Sequence, residues 1–163
     1  MMHFGLALSG ALLLSVTGVL LWVYSKRRTA VDSFTIEAVP DNNDEVLRYI
    51  ELKLKERGLP QSKSEKALLA SGEIFDNIAS YAYAEKGLLK IEIFAKNKQI
   101  FITFKDNGKA YNPLEQKEPD LSASTEERPI GGLGIFLVKK LTDSVQYERK
   151  QGFNILTIGL RKE

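Results

Sequence analysis

Two neighbouring segments of alternating apolar and polar residues, separated by a short polar stretch, constrain the fold of this chain most. Leu89–Ala95 and Gln99–Lys105 both show the period of two that is typical of half-buried strands. Between them, Lys96-Asn97-Lys98 predicts a hairpin turn. The rest of the chain must therefore pack against a β-hairpin near its middle.

Two helices are predicted before this hairpin. Apolar residues recur at positions four apart, which places them on one helix face: Val46, Ile50 and Leu54. Gly58 and Pro60 then predict the end of that helix. Ser62 and Glu65 fit a capping box, which predicts a second helix that begins at Ser62 and continues to about Tyr83.

The remaining elements complete a mixed α and β pattern. A strand over Ser33–Ala38 precedes the helices, and a helix over Ile135–Leu141 and two strands follow a long loop, at Val145–Arg149 and Phe153–Leu160. The order is strand, helix, helix, strand, strand, loop, helix, strand, strand. It predicts an α+β fold, a two-layer α/β sandwich with a mixed sheet covered on one face by helices.

The N-terminal segment predicts a separate role. Phe4–Tyr24 carries no charge, and about 21 residues of helix span roughly 30 Å, the thickness of a bilayer core. Lys26, Arg27 and Arg28 follow, so the positive-inside rule puts the rest of the chain in the cytoplasm. We therefore predict a transmembrane anchor over 1–25, a linker over 26–33, a domain over 34–163, and a single-pass location at the inner (cytoplasmic) membrane. A cleaved signal peptide fits less well, because no basic residues precede the segment, and a start codon assigned too far upstream stays an alternative.

Composition excludes several classes of function. A formal net charge of +2 gives no support for nucleic-acid binding, and the absence of cysteine excludes disulfides and thiolate metal sites. The only histidine is His3. The part of the chain after the N-terminal segment therefore has no histidine for a catalytic triad, a zinc site or phosphorylation.

Two polar motifs have both an ordinary and a functional interpretation. Glu73 and Asn77, four apart, lie on one helix face, which is either a solvated face or the edge of a cleft with a base and a Mg²⁺ ligand. Asp106-Asn107-Gly108 is either a turn after a strand or an adenine site. In the second case the Asp106 carboxylate accepts a bond from the adenine amine, and Gly108 lets the backbone approach the base.

A third motif is the glycine cluster Gly131-Gly132-Leu133-Gly134, which follows a loop of about 24 residues and precedes a helix. It is either a simple helix entry or an anion site, because N–H groups at a helix start face solvent with the positive end of the dipole behind them. No Gly-Lys-Ser/Thr follows, so the cluster is not a Walker A loop.

The order of these three motifs resembles the GHKL superfamily, which has the Bergerat fold and includes type II topoisomerases and histidine kinases. Among its branches, the bacterial anti-sigma-factor serine/threonine kinases are most similar. The segments that carry the resemblance are "EIFDNIASYAY", "DNGKAYNP" and "EERPIGGLGIFLVKKLTDSVQYERKQGFNILTI".

The resemblance implies a role for each matching residue. Glu73 is the expected general base, Asn77 the Mg²⁺ ligand, and Asp106 the partner of the adenine amine, with Gly108 beside the base. Arg128 is expected near the transferred phosphoryl. The residues expected to contact the phosphates are Gly131, Gly132, Leu133 and Gly134. The threonine of the family's last motif is not plainly present, and Asn154 and Thr157 are the two candidates to replace it.

The resemblance also implies a function with ATP and Mg²⁺ as cofactors. We expect a serine/threonine protein kinase that phosphorylates an anti-anti-sigma (STAS-type) protein and binds a sigma factor in a bacterial partner-switching pathway. A homodimer is expected on family grounds, and the anchor would make the membrane a further partner. A non-catalytic ATP-dependent binding switch and a histidine-kinase-like ATPase acting in trans are the alternatives.

Overall fold

A computed structural model describes residues 30–115 and 133–163. These residues form five β-strands and three α-helices, with short 3-10 turns at Pro40–Asn42 and Pro113–Glu115. In chain order the elements are β1 (Asp32–Glu37), α1 (Asn43–Glu56), α2 (Gln61–Tyr81), β2 (Leu88–Lys96), β3 (Gln99–Asp106), α3 (Leu133–Leu141), β4 (Ser144–Lys150) and β5 (Phe153–Arg161).

The strands form one sheet in the order β1-β2-β3-β5-β4, and all four neighbouring pairs are antiparallel. The α+β class is confirmed, but the sheet is antiparallel rather than mixed. The reason lies in the β4–β5 hairpin. β3 and β4 run in the same direction on either side of α3, and β5 pairs with both of them, so no parallel neighbours remain.

One face of the sheet carries the core. Alternate residues of β2, β3 and β5 are buried there against the helices: Leu89, Ile91, Ile93, Ile100, Ile102, Phe104, Leu156, Ile158 and Leu160. The predicted helix face is confirmed, because Val46, Ile50 and Leu54 are fully buried in the same core. Each such side chain contributes roughly 1.5–3 kcal/mol on burial, so this single layer dominates the stability of the described fold.

The two predicted helix boundaries have different outcomes. α1 ends at Glu56, and Gly58 stops it as predicted. The Gly58 N–H donates to the Lys55 carbonyl (3.0 Å) and the Leu59 N–H to the Leu54 carbonyl (3.1 Å), which is a Schellman motif. The capping box is wrong. α2 begins at Gln61 with Pro60 at its N-cap and no side-chain capping bond.

The hairpin turn between β2 and β3 explains the register of the central strands. Asn97 and Lys98 both have positive φ (50° and 63°), as a two-residue type I′ turn requires. Lys96 therefore pairs with Gln99, and the register continues to Leu89 opposite Asp106. Directly paired residues share a sheet face, so the Asp106 side chain lies on the helix-covered face with Leu89.

The predicted inner-membrane location is contradicted and is withdrawn, together with the membrane as a partner. Among residues 30–115 and 133–163, no helix has both the length and the apolar character needed to cross a bilayer. The segment Phe4–Tyr24 that prompted the prediction lies outside the described residues. The domain boundaries at residues 25 and 33 stay predictions.

Candidate functional site

The middle of α2 and the start of α3 bring three of the predicted site residues together. A Cβ atom added to Gly134 would lie 2.5 Å from Glu73 Oε2 and 3.4 Å from Asn77 Nδ2. The first distance is shorter than any ordinary contact, so only glycine fits while Glu73 keeps this position. The predicted neighbours Glu73, Asn77 and Gly134 therefore meet, although nearly 60 residues of chain separate Asn77 from Gly134.

The Asn77 side chain has one atom bonded and one available. Its Nδ2 donates to the Glu73 carbonyl oxygen one turn earlier, at 2.8 Å. Within the part of the chain that the structure describes, its Oδ1 accepts no hydrogen bond. A neutral amide oxygen suits Mg²⁺, which takes one or two protein oxygens and completes its shell with water and phosphate oxygens. Asn77 Oδ1 thus fits the role of a single protein ligand to a Mg²⁺ ion whose other ligands are water and substrate oxygens.

The start of α3 supplies backbone donors beside these side chains. Leu133 is the first helical residue and is exposed, and Gly134 follows it. The first N–H groups of a helix have no partner within the helix, and the helix dipole favours an anion in front of them. Arg128, Gly131 and Gly132 lie outside the described residues, so their predicted roles stay predictions.

The end of β3 carries the buried carboxylate of Asp106, which is 4% exposed. Its Oδ1 accepts hydrogen bonds from the Gly108 N–H (2.9 Å) and from Asn154 Nδ2 (2.8 Å). A buried charged group is costly unless it is hydrogen-bonded, and these two donors compensate for burial. Among the described residues no donor contacts Oδ2.

The turn after Asp106 packs against the C-terminal end of α2. A Cβ atom on Gly108 would lie 2.3 Å from the Ala82 carbonyl oxygen, and the Lys109 N–H donates to that same oxygen at 2.8 Å. The glycine is therefore required by the close approach of two backbone segments. Its predicted place beside a nucleotide base stays a prediction.

The Gly134 group and the Asp106 turn contact the same helix, α2, at different points along its length. Glu73 and Asn77 are in the fourth and fifth turns of α2, and Ala82 follows its last residue. Nine residues separate Glu73 from Ala82, which corresponds to about 14 Å at 1.5 Å per residue. This distance separates the Glu73 side chain beside Gly134 from the point where the Asp106 turn meets α2.

The Tyr83 side chain joins the start of β2 to the turn after Asp106, and it was not predicted to belong to the site. Its hydroxyl donates to the Leu88 carbonyl (2.7 Å) and accepts the Asn107 N–H (3.2 Å). Burial raises the pKa of Tyr83, and the bond from Asn107 opposes that shift in part. The hydroxyl is therefore protonated at neutral pH and remains a donor.

The two candidates for the missing threonine have different partners. Thr157 is opposite Thr103, with 2.9 Å between their hydroxyl oxygens. Within the described residues, neither hydroxyl is hydrogen-bonded to Asp106. Asn154 is paired with Asp106 in the sheet and donates to its carboxylate. Sequence reasoning missed two further residues that contact Asn154, namely Tyr147 and Arg149. Their strand showed alternation, but its register with β5 could not be derived from that.

Comparison with known proteins places the chain among nucleotide-binding domains. Residues 36–160 match the family described as "Histidine kinase-like ATPase domain". The serine/threonine-protein kinase BtrW of Bordetella bronchiseptica is 27% identical over 92 residues, which cover 55% of this chain and 65% of BtrW. The serine-protein kinase RsbW of Bacillus thuringiensis is 30% identical over 104 residues, covering 61% of this chain and 65% of RsbW.

A solved structure is similar in fold. The RsbU and RsbW domains of Rv1364c from Mycobacterium tuberculosis superpose with a TM-score of 0.59 at 15% identity, over 82% of this chain and 32% of that chain. At this identity the likeness concerns the fold alone. This chain spans about 65% of the length of the curated kinases that it matches.

Proposed function

Because the chain belongs to the histidine kinase-like ATPase domain family, we propose that it binds ATP and transfers the γ-phosphoryl group to a serine or threonine of a protein. The relatives named above are serine or serine/threonine kinases, which favours a hydroxyl acceptor over a histidine. The observation that carries the proposal is that Gly134 lies beside Glu73 and Asn77 of α2, while the Asp106 turn lies at the C-terminal end of the same helix.

The Asp106 end fits an adenine base. Oδ1 of Asp106 is occupied by two donors of the protein, and Oδ2 is available to accept from the exocyclic amine of adenine. Guanine has a carbonyl oxygen at that position, and two acceptors facing each other in a buried site are unfavourable. This end of the site therefore selects ATP over GTP.

The Gly134 end fits a triphosphate. The N–H groups of Leu133 and Gly134 would donate to phosphate oxygens, and we assign the same role to Gly131 and Gly132. Asn77 Oδ1 would hold Mg²⁺, which supplies charge neutralisation of the phosphates when bound. We assign Arg128 the stabilisation of charge on the transferred group, since a guanidinium matches phosphoryl oxygens in geometry.

Glu73 is proposed as the general base. Its carboxylate is half-buried beside Gly134 and is thus next to the expected phosphates. It would accept the proton of the acceptor hydroxyl as that oxygen forms its bond to the γ-phosphorus and the bond to the leaving ADP breaks. Phosphoryl transfer needs positioning and charge neutralisation more than covalent participation, which a site with one carboxylate and many amide groups can provide.

For the acceptor we propose an anti-anti-sigma protein of the STAS type, with a sigma factor as the second partner and a homodimer as the working assembly. This proposal is supported by the resemblance of the motifs from Glu73 to Gly134 to those of the anti-sigma-factor kinases.

The direct test is phosphoryl transfer by a Glu73→Gln variant. The purified chain is incubated with Mg²⁺-ATP and a STAS-type protein, and phosphoserine or phosphothreonine is measured by mass spectrometry. We expect the variant to bind ATP as the wild type does and to lose transfer by roughly 100-fold or more, because general bases contribute about 10²–10⁴.

Glu65→Gln is the matched control, since Glu65 is an exposed glutamate two turns earlier on the same helix. It should transfer at the wild-type rate. Transfer at that rate by Glu73→Gln would remove Glu73 from the mechanism. Nucleotide-dependent binding of the STAS protein without any phosphorylation by the wild type would favour an ATP-dependent binding switch instead.

A further inference from the structure

We propose that Asn154, Arg149 and Tyr147 form a positioning network, here called the β4–β5 clamp, which gives the site its preference for adenine over guanine. The proposal rests on the nucleotide-binding function proposed above and goes beyond it. In this network, the hydrogen-bond donors near Asp106 are bonded to protein acceptors and cannot donate to the carbonyl oxygen of guanine.

The hydrogen bonds around Asn154 fix the orientation of its side-chain amide. Its Oδ1 accepts bonds from the Tyr147 hydroxyl (2.8 Å), Arg149 Nη1 (2.7 Å) and the Tyr111 N–H (3.4 Å). Three donors converge on this one atom, so it must be the oxygen and not the amide nitrogen. The nitrogen consequently faces the other way, toward Asp106.

Both hydrogens of the Asn154 amide nitrogen are already donated to protein acceptors. Nδ2 carries two hydrogens, and it donates to Asp106 Oδ1 (2.8 Å) and to the Lys109 carbonyl (2.9 Å). The neighbouring Gly108 N–H also donates to Asp106 Oδ1. The protein thus commits all three of these hydrogens to its own acceptors, and Asp106 Oδ2 is left for a ligand.

These committed hydrogens affect adenine and guanine differently. Adenine presents an amine hydrogen, which the free Oδ2 can accept. Guanine presents a carbonyl oxygen, which needs a donor, and the donors nearest to Asp106 are already bonded. A site whose buried polar groups cannot pair with an analogue rejects it strongly. The clamp therefore discriminates by withholding donors as well as by offering an acceptor.

Arg149 is the residue on which this arrangement depends most. It is exposed on the edge strand β4, and its Nη1 bonds both Asn154 Oδ1 and the Gly108 carbonyl (3.1 Å). One guanidinium thus fixes the amide orientation and the turn together. Without it, Asn154 Oδ1 keeps only the bonds from the Tyr147 hydroxyl and the Tyr111 N–H, so the amide rotates more easily and can direct Nδ2 toward the base. Arg149 and Asn154 are accordingly positioning residues that act through Asp106.

The test compares dissociation constants for Mg²⁺-ATP and Mg²⁺-GTP, measured by calorimetry on the full chain. Arg149→Ala and Asn154→Ala should each lower the ratio of ATP to GTP affinity by about tenfold or more, as expected for loss of a hydrogen bond to a charged group. Arg149→Lys should restore part of the ratio. Lys150→Ala is the matched control, because Lys150 is also exposed, carries the same charge, and lies on the next position of β4, facing the other side of the sheet. It should keep the wild-type ratio.

The outcomes separate the clamp from the nucleotide site itself. If Asp106→Asn loses ATP binding while Arg149→Ala and Asn154→Ala keep the wild-type ratio, the clamp is overturned and the proposed function stands. An equal loss of ATP and GTP affinity in the two clamp variants would also overturn it, since that would indicate a purely structural role. A wild type that binds neither nucleotide would overturn the proposed function, and the clamp with it.

Discussion

The two ends of the candidate site differ in how far the protein has satisfied its own polar atoms. At the Asp106 turn nearly every donor and acceptor is paired within the chain: Asp106 Oδ1 has two donors, Asn154 has five bonds, and Ala82 accepts from Lys109. At the Gly134 end the polar groups are brought close, but Asn77 Oδ1 has no partner within the described residues. One end is built before a ligand arrives, and the other is completed by it.

This difference suggests a division of tasks. A base must be distinguished from similar bases, which requires fixed donors and acceptors. A triphosphate must be gripped and then partly released, and most of the necessary charge comes with a metal ion and with backbone N–H groups. Equivalent changes at the two ends should therefore affect different quantities, namely the stability of the fold at the Asp106 turn and activity at Gly134.

The largest effect on stability is expected for Gly108→Ala. The added Cβ would meet the Ala82 carbonyl at 2.3 Å, and a backbone oxygen at a helix end cannot move aside without disturbing the Lys109 bond. We expect the free energy of unfolding to fall by about 1–3 kcal/mol, as for other overpacked sites. Chemical denaturation measures this directly. An unchanged denaturation midpoint would show that the turn is not built against α2.

A smaller effect on stability but a clear effect on activity is expected for Gly134→Ala. Here the added Cβ meets the end of a flexible glutamate side chain, which can rotate away. Stability should stay within about 0.5 kcal/mol of the wild type, as for most substitutions that leave the core intact. Phosphoryl transfer should fall by about tenfold or more, because Glu73 is displaced from its position. Wild-type transfer with reduced stability would reverse the comparison between the two ends.

The smallest effect is expected for Asp143→Asn, which serves as a reference outside the site. Asp143 accepts the Arg161 N–H and Nε (both 2.8 Å), and Arg161 pairs with Gln99 at the opposite end of β3 from Asp106. The Arg161 N–H bond is the main cause that holds the pKa of Asp143 below its ordinary value of 3.8. A lowered pKa means that this carboxylate stabilises the fold above about pH 4 and loses that contribution as pH falls through the lower folded pKa.

Asp143→Asn should consequently cost about 1 kcal/mol or less at pH 7, since the side chain is partly exposed. The difference from the wild type should vanish at acidic pH, and ATP affinity should not change. Denaturation at a series of pH values provides the measurement. A difference that grows toward low pH would contradict the stated cause.

Features encoded locally could be predicted from the sequence. The hairpin between β2 and β3 follows from alternation and a short polar turn, and the helix face of α1 follows from spacing of four. The start of α2 was missed. A capping box at Ser62 competes there with a helix that begins directly after the Schellman motif of α1, where the Pro60 carbonyl already accepts the N–H groups of Lys63 and Ser64.

The sequence was sufficient to predict several residues of the site, but not which side chains are hydrogen-bonded to one another. Glu73, Asn77 and Gly134 were identified by motif order, and the structure brings them together. The contacts of Asn154 depend on the register between β3, β5 and β4, and β3 is far from the other two strands in the chain. No local pattern encodes that register. Arg149 and Tyr147 therefore looked like ordinary residues of an edge strand.

The proposed recognition of the adenine base of ATP by Asp106 carries the interpretation of both ends of the site. The most direct measurement is the affinity for Mg²⁺-ATP and Mg²⁺-GTP of the wild type and of Asp106→Asn. We expect the wild type to prefer ATP by about 100-fold or more. Asp106→Asn should lose most of that preference, because an amide offers only one neutral acceptor oxygen and replaces the other oxygen by an NH2 donor. Equal ATP affinity in the two proteins would contradict it.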